Sequence, residues 1–78
     1  MELLEECIVL TLDGREYYKI QKDDIGYYAF IRSAELNASK KEEAFISDTY
    51  EGIKGMIDLY LLLKKGIRKK QWIHKLHK

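Results

Sequence analysis

The sequence predicts an α+β fold, in which an antiparallel three- to four-stranded β-meander packs against one long C-terminal helix, followed by a short basic amphipathic helix or tail. Two observations lead to this prediction. The first half of the chain holds short β-branched and aromatic runs separated by turn signals, and residues 49–66 form the longest apolar-rich stretch. We expect a single small domain over residues 1–78, with the meander in 1–47, the central helix in 48–66 and the basic tail in 67–78.

The predicted strands are apolar or alternating runs that end at turn residues. The first run, CIVLTL, is apolar on both faces, which is typical of a strand inside a sheet, and Asp13 and Gly14 then form a favoured hairpin turn. We expect strands at residues 7–12, 15–22, 27–34 and 43–46. The composition of residues 35–43 suits a loop or a helix, and we favour a loop.

The predicted helix has marked ends and one apolar stripe. Ser47, Asp48 and Thr49 are good N-cap residues, and Gly66 suits the left-handed residue that follows a helix. Residues at helical spacing predict the face that packs on the sheet: Ile53, Met56, Ile57, Tyr60, Leu63 and Ile67.

A second row on the same helix has no evident partner inside a small domain. Gly52, Gly55, Leu59 and Leu62 repeat at three and four residues on a different side. An interior glycine costs a helix about 1 kcal/mol relative to alanine, so close packing is the expected use of both glycines. These four residues are the candidate protein interface, either between copies of the chain or with another protein. The alternative is that Leu59 and Leu62 pack under the C-terminal tail of the same chain.

Charge is distributed unevenly along the chain. Residues 1–58 hold seven Lys or Arg and all thirteen Asp or Glu, a net charge of −6, whereas residues 59–78 hold seven Lys or Arg and no acid, a net charge of +7. Such an asymmetry points to a polyanion, a membrane surface or an acidic protein patch, and the apolar face of the tail is too small for a membrane role.

The candidate nucleic-acid-binding residues lie in segment 64–78: Lys64, Lys65, Arg68, Lys69, Lys70, Trp72 and Lys75. The cations would neutralise phosphates and Trp72 would stack on a base. The alternatives are that the segment pairs with an acidic protein surface and that Trp72 holds the tail against the core.

Residues suited to catalysis or metal binding are scarce. His74 and His77 lie in the basic tail with no Cys or acid near them in sequence, and the lone Cys7 lies where a small buried hydrophobe is expected. The carboxylates and glycines show no catalytic or phosphate-binding spacing. We therefore predict no enzyme activity, no metal, no cofactor and no small-molecule substrate. No signal peptide and no apolar run of membrane length are evident, from which we expect a cytoplasmic location and no membrane partner.

The tyrosines have two interpretations. Tyr17 and Tyr18 on one predicted strand, and Tyr27 and Tyr28 on the next, place one ring of each pair on each face of the sheet. Cross-strand aromatic pairs stabilise sheets, but exposed tyrosines are also typical of protein interfaces.

The meander followed by FISDTYEGIKGMID resembles, in element order, the arm-binding domains of phage integrases, in which a sheet enters a DNA groove. The resemblance covers roughly residues 15–60 and rests on element order rather than on a motif. This sheet carries Glu16, Asp23 and Asp24 with few cations, so no functional residue is carried over.

These observations together predict a small non-catalytic binding or regulatory protein that acts through protein–protein contact and self-associates. The candidate interface is the face with Leu59 and Leu62 or the open face of the sheet. The alternative function is a nucleic-acid-binding protein that uses segment 64–78.

Overall fold

The structure, a computed structural model, describes residues 1–35 and 41–75. These residues form five strands and one helix in the order β1 (Glu2–Thr11), β2 (Arg15–Lys22), β3 (Tyr27–Ser33), β4 (Glu43–Ser47), α1 (Tyr50–Tyr60) and β5 (Ile67–Lys75). A π-helical turn, Leu61–Lys65, continues α1. Neighbouring strands are antiparallel and lie in the spatial order β4-β3-β2-β1-β5, and α1 covers one face of the sheet.

The predicted fold class is wrong at its C-terminal end. The last described segment is a strand rather than a helix or tail, the sheet has five strands rather than three or four, and the helix, with 11 α-helical and 5 π-helical residues, is not the last element. The reason lies in β1, because a strand that is apolar on both faces needs a neighbour at each edge. β2 pairs with one edge and β5 with the other. Only Ile67, Trp72 and Ile73 are apolar within β5, so its own pattern does not distinguish a strand from an amphipathic helix.

The other predicted elements lie close to their expected positions. β2 has the predicted bounds, β3 and β4 each differ by one residue at their ends, and β1 begins five residues earlier than expected. Thr49 is the N-cap of α1, and its side-chain oxygen accepts a hydrogen bond from the backbone N–H of Gly52 at 3.0 Å. The loop expected at residues 35–43 falls mostly outside the described residues.

Gly66 reverses the chain between the helix and β5. Its φ of 66° and ψ of 69° lie in the left-handed region that favours glycine, as the sequence predicts. The backbone N–H of Leu12 donates to the Gly66 carbonyl at 3.1 Å, and a Cβ at Gly66 would lie only 2.7 Å from Leu12 Cδ1. The reversal therefore places β5 beside the free edge of β1.

The core lies between α1 and the inner face of the sheet. The helix contributes Ile53, Ile57 and Leu61, which are fully buried. The predicted stripe is wrong at Met56 and Leu63, whose side chains are exposed. The reason is that the helix packs on the sheet along one row of residues, spaced four apart in the sequence. The strands contribute the remaining fully buried hydrophobic side chains: Cys7, Val9, Tyr18, Ile20, Ala29 and Ile31.

The opposite face of the sheet is open, in the part of the chain that the structure describes. Cross-strand pairs on this face set an aromatic ring against a cationic or amide side chain: Tyr17 with Arg32, Phe30 with Lys19, and Tyr28 with Gln21. The guanidinium carbon of Arg32 lies 4.6 Å from the Tyr17 ring centroid, and Lys19 Nζ lies 5.5 Å from that of Phe30. The rings of Tyr17 and Phe30 are therefore packed by their own cross-strand partners, which stabilises the sheet.

Candidate functional site

The side of the helix that faces away from the core is an exposed apolar surface. Met56, Leu59, Leu62 and Leu63 are 42% to 70% exposed and lie opposite the buried residues of the same helix. We call these four residues the outer helix face. A surface helix normally carries polar residues there, so a row of large apolar side chains makes this face a candidate interaction surface.

Two of these residues were predicted as interface and two were assigned to the core. The structure leaves Leu59 and Leu62 exposed, since β5 pairs at the sheet edge and the described residues of the tail do not cover them. Met56 and Leu63 join them because Leu61 takes the core position instead. Helical spacing alone does not identify Met56 and Leu63 as exposed, because both lie at the border of the apolar stripe and the burial of Leu61 depends on how the helix packs.

The two helix glycines have different surroundings. A Cβ added at Gly55 would meet no atom within 4 Å, whereas a Cβ at Gly52 would meet the side chains of Ser47 and Thr49. Gly52 therefore leaves room for the N-cap of its own helix. Of the predicted interface residues, the structure separates Gly52 from the outer helix face and leaves Gly55 open to another molecule.

Charges of opposite sign lie at the two ends of the helix. Glu51 is in the first turn of α1, and Lys64 and Lys65 are in the last turn of the π-helical segment. Lys65 Nζ lies 3.8 Å from Glu16 Oε2 of the sheet, whereas Lys64 is exposed. The outer helix face is thus bordered by an acidic end and a basic end.

A second surface surrounds Trp72 on β5. Three lysine ammonium groups approach its ring centroid: Lys54 Nζ at 5.5 Å, Lys70 Nζ at 5.4 Å and Lys75 Nζ at 4.6 Å. The Trp72 side chain nevertheless remains 41% exposed. We call these four residues the Trp72 cluster. Its indole lies within cation–π range of three cations and keeps part of its surface open to solvent.

Strand register brings two of these lysines to the same side as Trp72. Lys70 precedes Trp72 by two residues, so strand alternation places both on the face that carries α1. Lys75 follows Trp72 by three residues, and an irregularity in the β1–β5 pairing between them returns it to that face. Lys54 comes from α1, and the sequence does not identify it because its approach to Trp72 depends on how the helix packs.

A buried carboxylate holds Lys54 in position. Glu5 is only 2% exposed, and its side chain accepts hydrogen bonds from the Tyr18 hydroxyl at 2.9 Å, from Lys54 Nζ at 3.1 Å and from the Tyr50 hydroxyl. Burial by itself raises the pKa of Glu5, but these hydrogen bonds and the Lys54 charge outweigh it, so the pKa lies below its ordinary value. Burial and the Glu5 carboxylate raise the pKa of both tyrosines, which remain neutral donors. Glu5 thus joins β1, β2 and α1.

The other two lysines of the Trp72 cluster differ in their pairing. Lys70 Nζ lies 3.2 Å from Asp58 Oδ1 on α1, an ion pair between partly exposed groups. Lys75 forms no ion pair with any of the described residues. Lys75 is therefore the cation of the cluster most available to a bound anion.

The predicted nucleic-acid-binding residues do not form one surface. Three of the seven belong to the Trp72 cluster, whereas Lys69 lies on the open face of the sheet because side chains alternate along β5. Arg68 lies at an irregularity near the start of β5, and Lys64 and Lys65 lie in the π-helical turn. Only part of the basic segment therefore lies at one place on the surface.

Other reactive side chains have structural roles. Cys7 is fully buried, and burial raises the pKa of its thiol, which makes a poor nucleophile. Asp23 Oδ1 accepts the backbone N–H groups of Ile25 and Gly26, which shape the β2–β3 turn and lower the pKa of Asp23. Within the described ranges, no three His, Cys, Asp or Glu side chains converge as metal ligands, and no helix has the length and apolar character to cross a membrane.

Comparisons of the chain with protein-family models, with curated proteins and with solved structures find no match. The resemblance to phage-integrase arm-binding domains thus gains no support, and β5 adds an element that the resemblance does not include.

Proposed function

We propose that the protein is a non-catalytic binding protein that acts through protein–protein contact, and that its partner at the outer helix face is a second copy of the same chain. The observation that carries this proposal is the exposure of four large apolar side chains on the side of the helix away from the core. Full burial of one such side chain stabilises the buried state by about 1.5–3 kcal/mol relative to leaving the side chain in water. A chain of 78 residues has a small core, so association would add to its stability.

Charge complementarity supports a second copy as the partner. A two-fold axis near Leu59 would pair the two helices antiparallel, with the acidic turn at Glu51 near the basic end at Lys64 of the other copy. The two helix dipoles would also be opposed. Gly55 and Leu63 are each four residues from Leu59, so the open backbone at Gly55 would receive the Leu63 side chain of the other copy.

The experiment measures molecular mass in solution by sedimentation velocity over about 1 µM to 1 mM, which spans weak to moderate Kd values. We expect the mass to rise with concentration from that of the 9.3-kDa chain to twice that value. Leu59→Lys introduces a charge at the centre of the contact, and lysine is about as good a helix former as leucine, so the variant should fold as a monomer.

The matched control is Ile25→Lys, the same kind of change at an exposed position in the β2–β3 turn. It should leave the dimer unchanged, and circular dichroism verifies that both variants are folded. A wild-type chain that stays monomeric over this range, or a folded Leu59→Lys variant that still dimerises, would contradict the proposal.

A further inference from the structure

We propose that the Trp72 cluster is a binding site for single-stranded nucleic acid, with an unstacked base on the exposed part of the Trp72 indole and Lys75 beside a neighbouring phosphate. This function goes beyond self-association. It uses β5 and the flank of α1 that faces β5, whereas the proposed dimer uses the outer helix face.

The position of Trp72 suits stacking by a base. β5 is an edge strand of the described sheet, so the indole lies at a border of the molecule, and 41% of its side chain is exposed. The cross-strand neighbour of Trp72 on β1 is the buried Cys7. Stacking of a base on an aromatic side chain is tolerant of base identity, because every base has a flat π-face.

The charges around Trp72 suit a phosphate. Glu5 and Asp58 pair with Lys54 and Lys70, so the cluster with these two carboxylates has three cations against two anions. The unmatched cation is Lys75, whose Nζ lies 4.6 Å from the ring centroid. A backbone phosphate next to the sugar of a stacked base would therefore lie within reach of an ammonium group that forms no ion pair in the described structure.

The combination of an indole and lysines distinguishes between anionic partners. An acidic peptide would be attracted to the lysines but offers the indole no base to stack on. A duplex holds its bases inside its own stack and cannot place one on Trp72 without unpairing it. The exposed ring among cations therefore favours a single strand.

Trp72 is the only tryptophan of the chain, so its intrinsic fluorescence reports directly on the cluster. We would titrate the full chain with oligothymidylate of about 16 nucleotides, a length that covers the site of a small single-strand-binding domain. The expected result is quenching of Trp72 at about 50 mM salt and much weaker binding at about 200 mM. A duplex of equal length and polyglutamate serve as comparison probes.

Two variants identify the groups involved. Lys75→Gln keeps the fluorophore and should weaken binding while reducing the salt slope by about 0.7–1, as expected for one lost phosphate contact. Trp72→Leu, followed with a labelled oligonucleotide, should weaken binding roughly 5- to 140-fold, the contribution of one stacked base. The matched control is Lys19→Gln, because Lys19 also lies over an aromatic ring but on the open face of the sheet.

Several outcomes would overturn the proposal. They are an absence of quenching at low salt, equal affinity for the duplex, and equal quenching by polyglutamate. A loss of binding in Lys19→Gln as large as that in Lys75→Gln would also overturn it. If Trp72→Leu does not fold, the comparison of the two lysine variants still decides the question.

Discussion

Replacement of Glu5 by Gln tests whether a buried carboxylate joins α1 to the sheet. Gln has the same size but no charge, so Lys54 loses its ion pair and the tyrosine hydroxyls lose a charged acceptor. A hydrogen bond to a charged group contributes about 1.5–3 kcal/mol, and loss of one partner of a buried ion pair costs about 3–5 kcal/mol. The Lys54 side chain is 20% exposed, and solvent reduces the second figure. We expect the free energy of unfolding to fall by about 3 kcal/mol.

The assay is urea denaturation followed by circular dichroism, with the free energy of unfolding extrapolated to water. Measurements in a Leu59→Lys background remove the effect of association on apparent stability. Glu2→Gln is the matched control, because Glu2 is an exposed glutamate on the same strand, and its effect should stay within about 0.5 kcal/mol. A Glu5→Gln effect no larger than that of the control would refute the role assigned to Glu5. Lys54→Met added to Glu5→Gln should recover part of the loss, because no unpaired charge then remains.

The lowered pKa of Glu5 also predicts how the stability of the protein changes with pH. The pKa of Glu5 in the fold lies below its ordinary value of 4.5, so the carboxylate stabilises the fold above that value. This contribution is lost as the pH falls through the lowered pKa of the folded state. The stability difference between the wild-type chain and Glu5→Gln should therefore shrink on acidification below about pH 4.5. A difference that grows on acidification would contradict the assigned pKa direction.

The glycines provide the remaining predictions, each measured by the same denaturation assay in the monomeric background. Gly55→Ala should raise the free energy of unfolding by about 1 kcal/mol, because its Cβ meets open space. Gly52→Ala should fail to give this gain, because its Cβ displaces the Thr49 cap, which contributes about 1 kcal/mol; equal effects of the two changes would refute this distinction. Gly66→Ala should lower the free energy of unfolding by about 1–2 kcal/mol, because it places a Cβ in the left-handed region and against Leu12, and an unchanged stability would argue against that geometry.

Two of the four residues of the outer helix face could be separated from the core by helical spacing. The spacing of Leu59 and Leu62 separates them from the stripe that faces the sheet, but their exposure is known only from the structure, because the sequence also allowed them to pack under the tail. Met56 and Leu63 could not be assigned in this way, because they lie at the border of the apolar stripe and only the docked helix shows that Leu61 fills the core. The Trp72 cluster could not be assembled from the sequence, because its lysines come from two elements, α1 and β5, that only the fold brings together.

The sequence by itself determined the features of this protein that depend on local chemistry. Three features depend on only a few adjacent residues: the alternation of inward and outward side chains along β2, the hydroxyl of Thr49 at the N-cap, and the left-handed glycine at Gly66. The tertiary structure decided the pairing of β5 with β1 and the contact of Lys54 with Glu5, which are 49 residues apart. The physical reason is that a strand edge and a buried charge are satisfied by whichever distant segment the folded chain places there, and no local pattern encodes that choice.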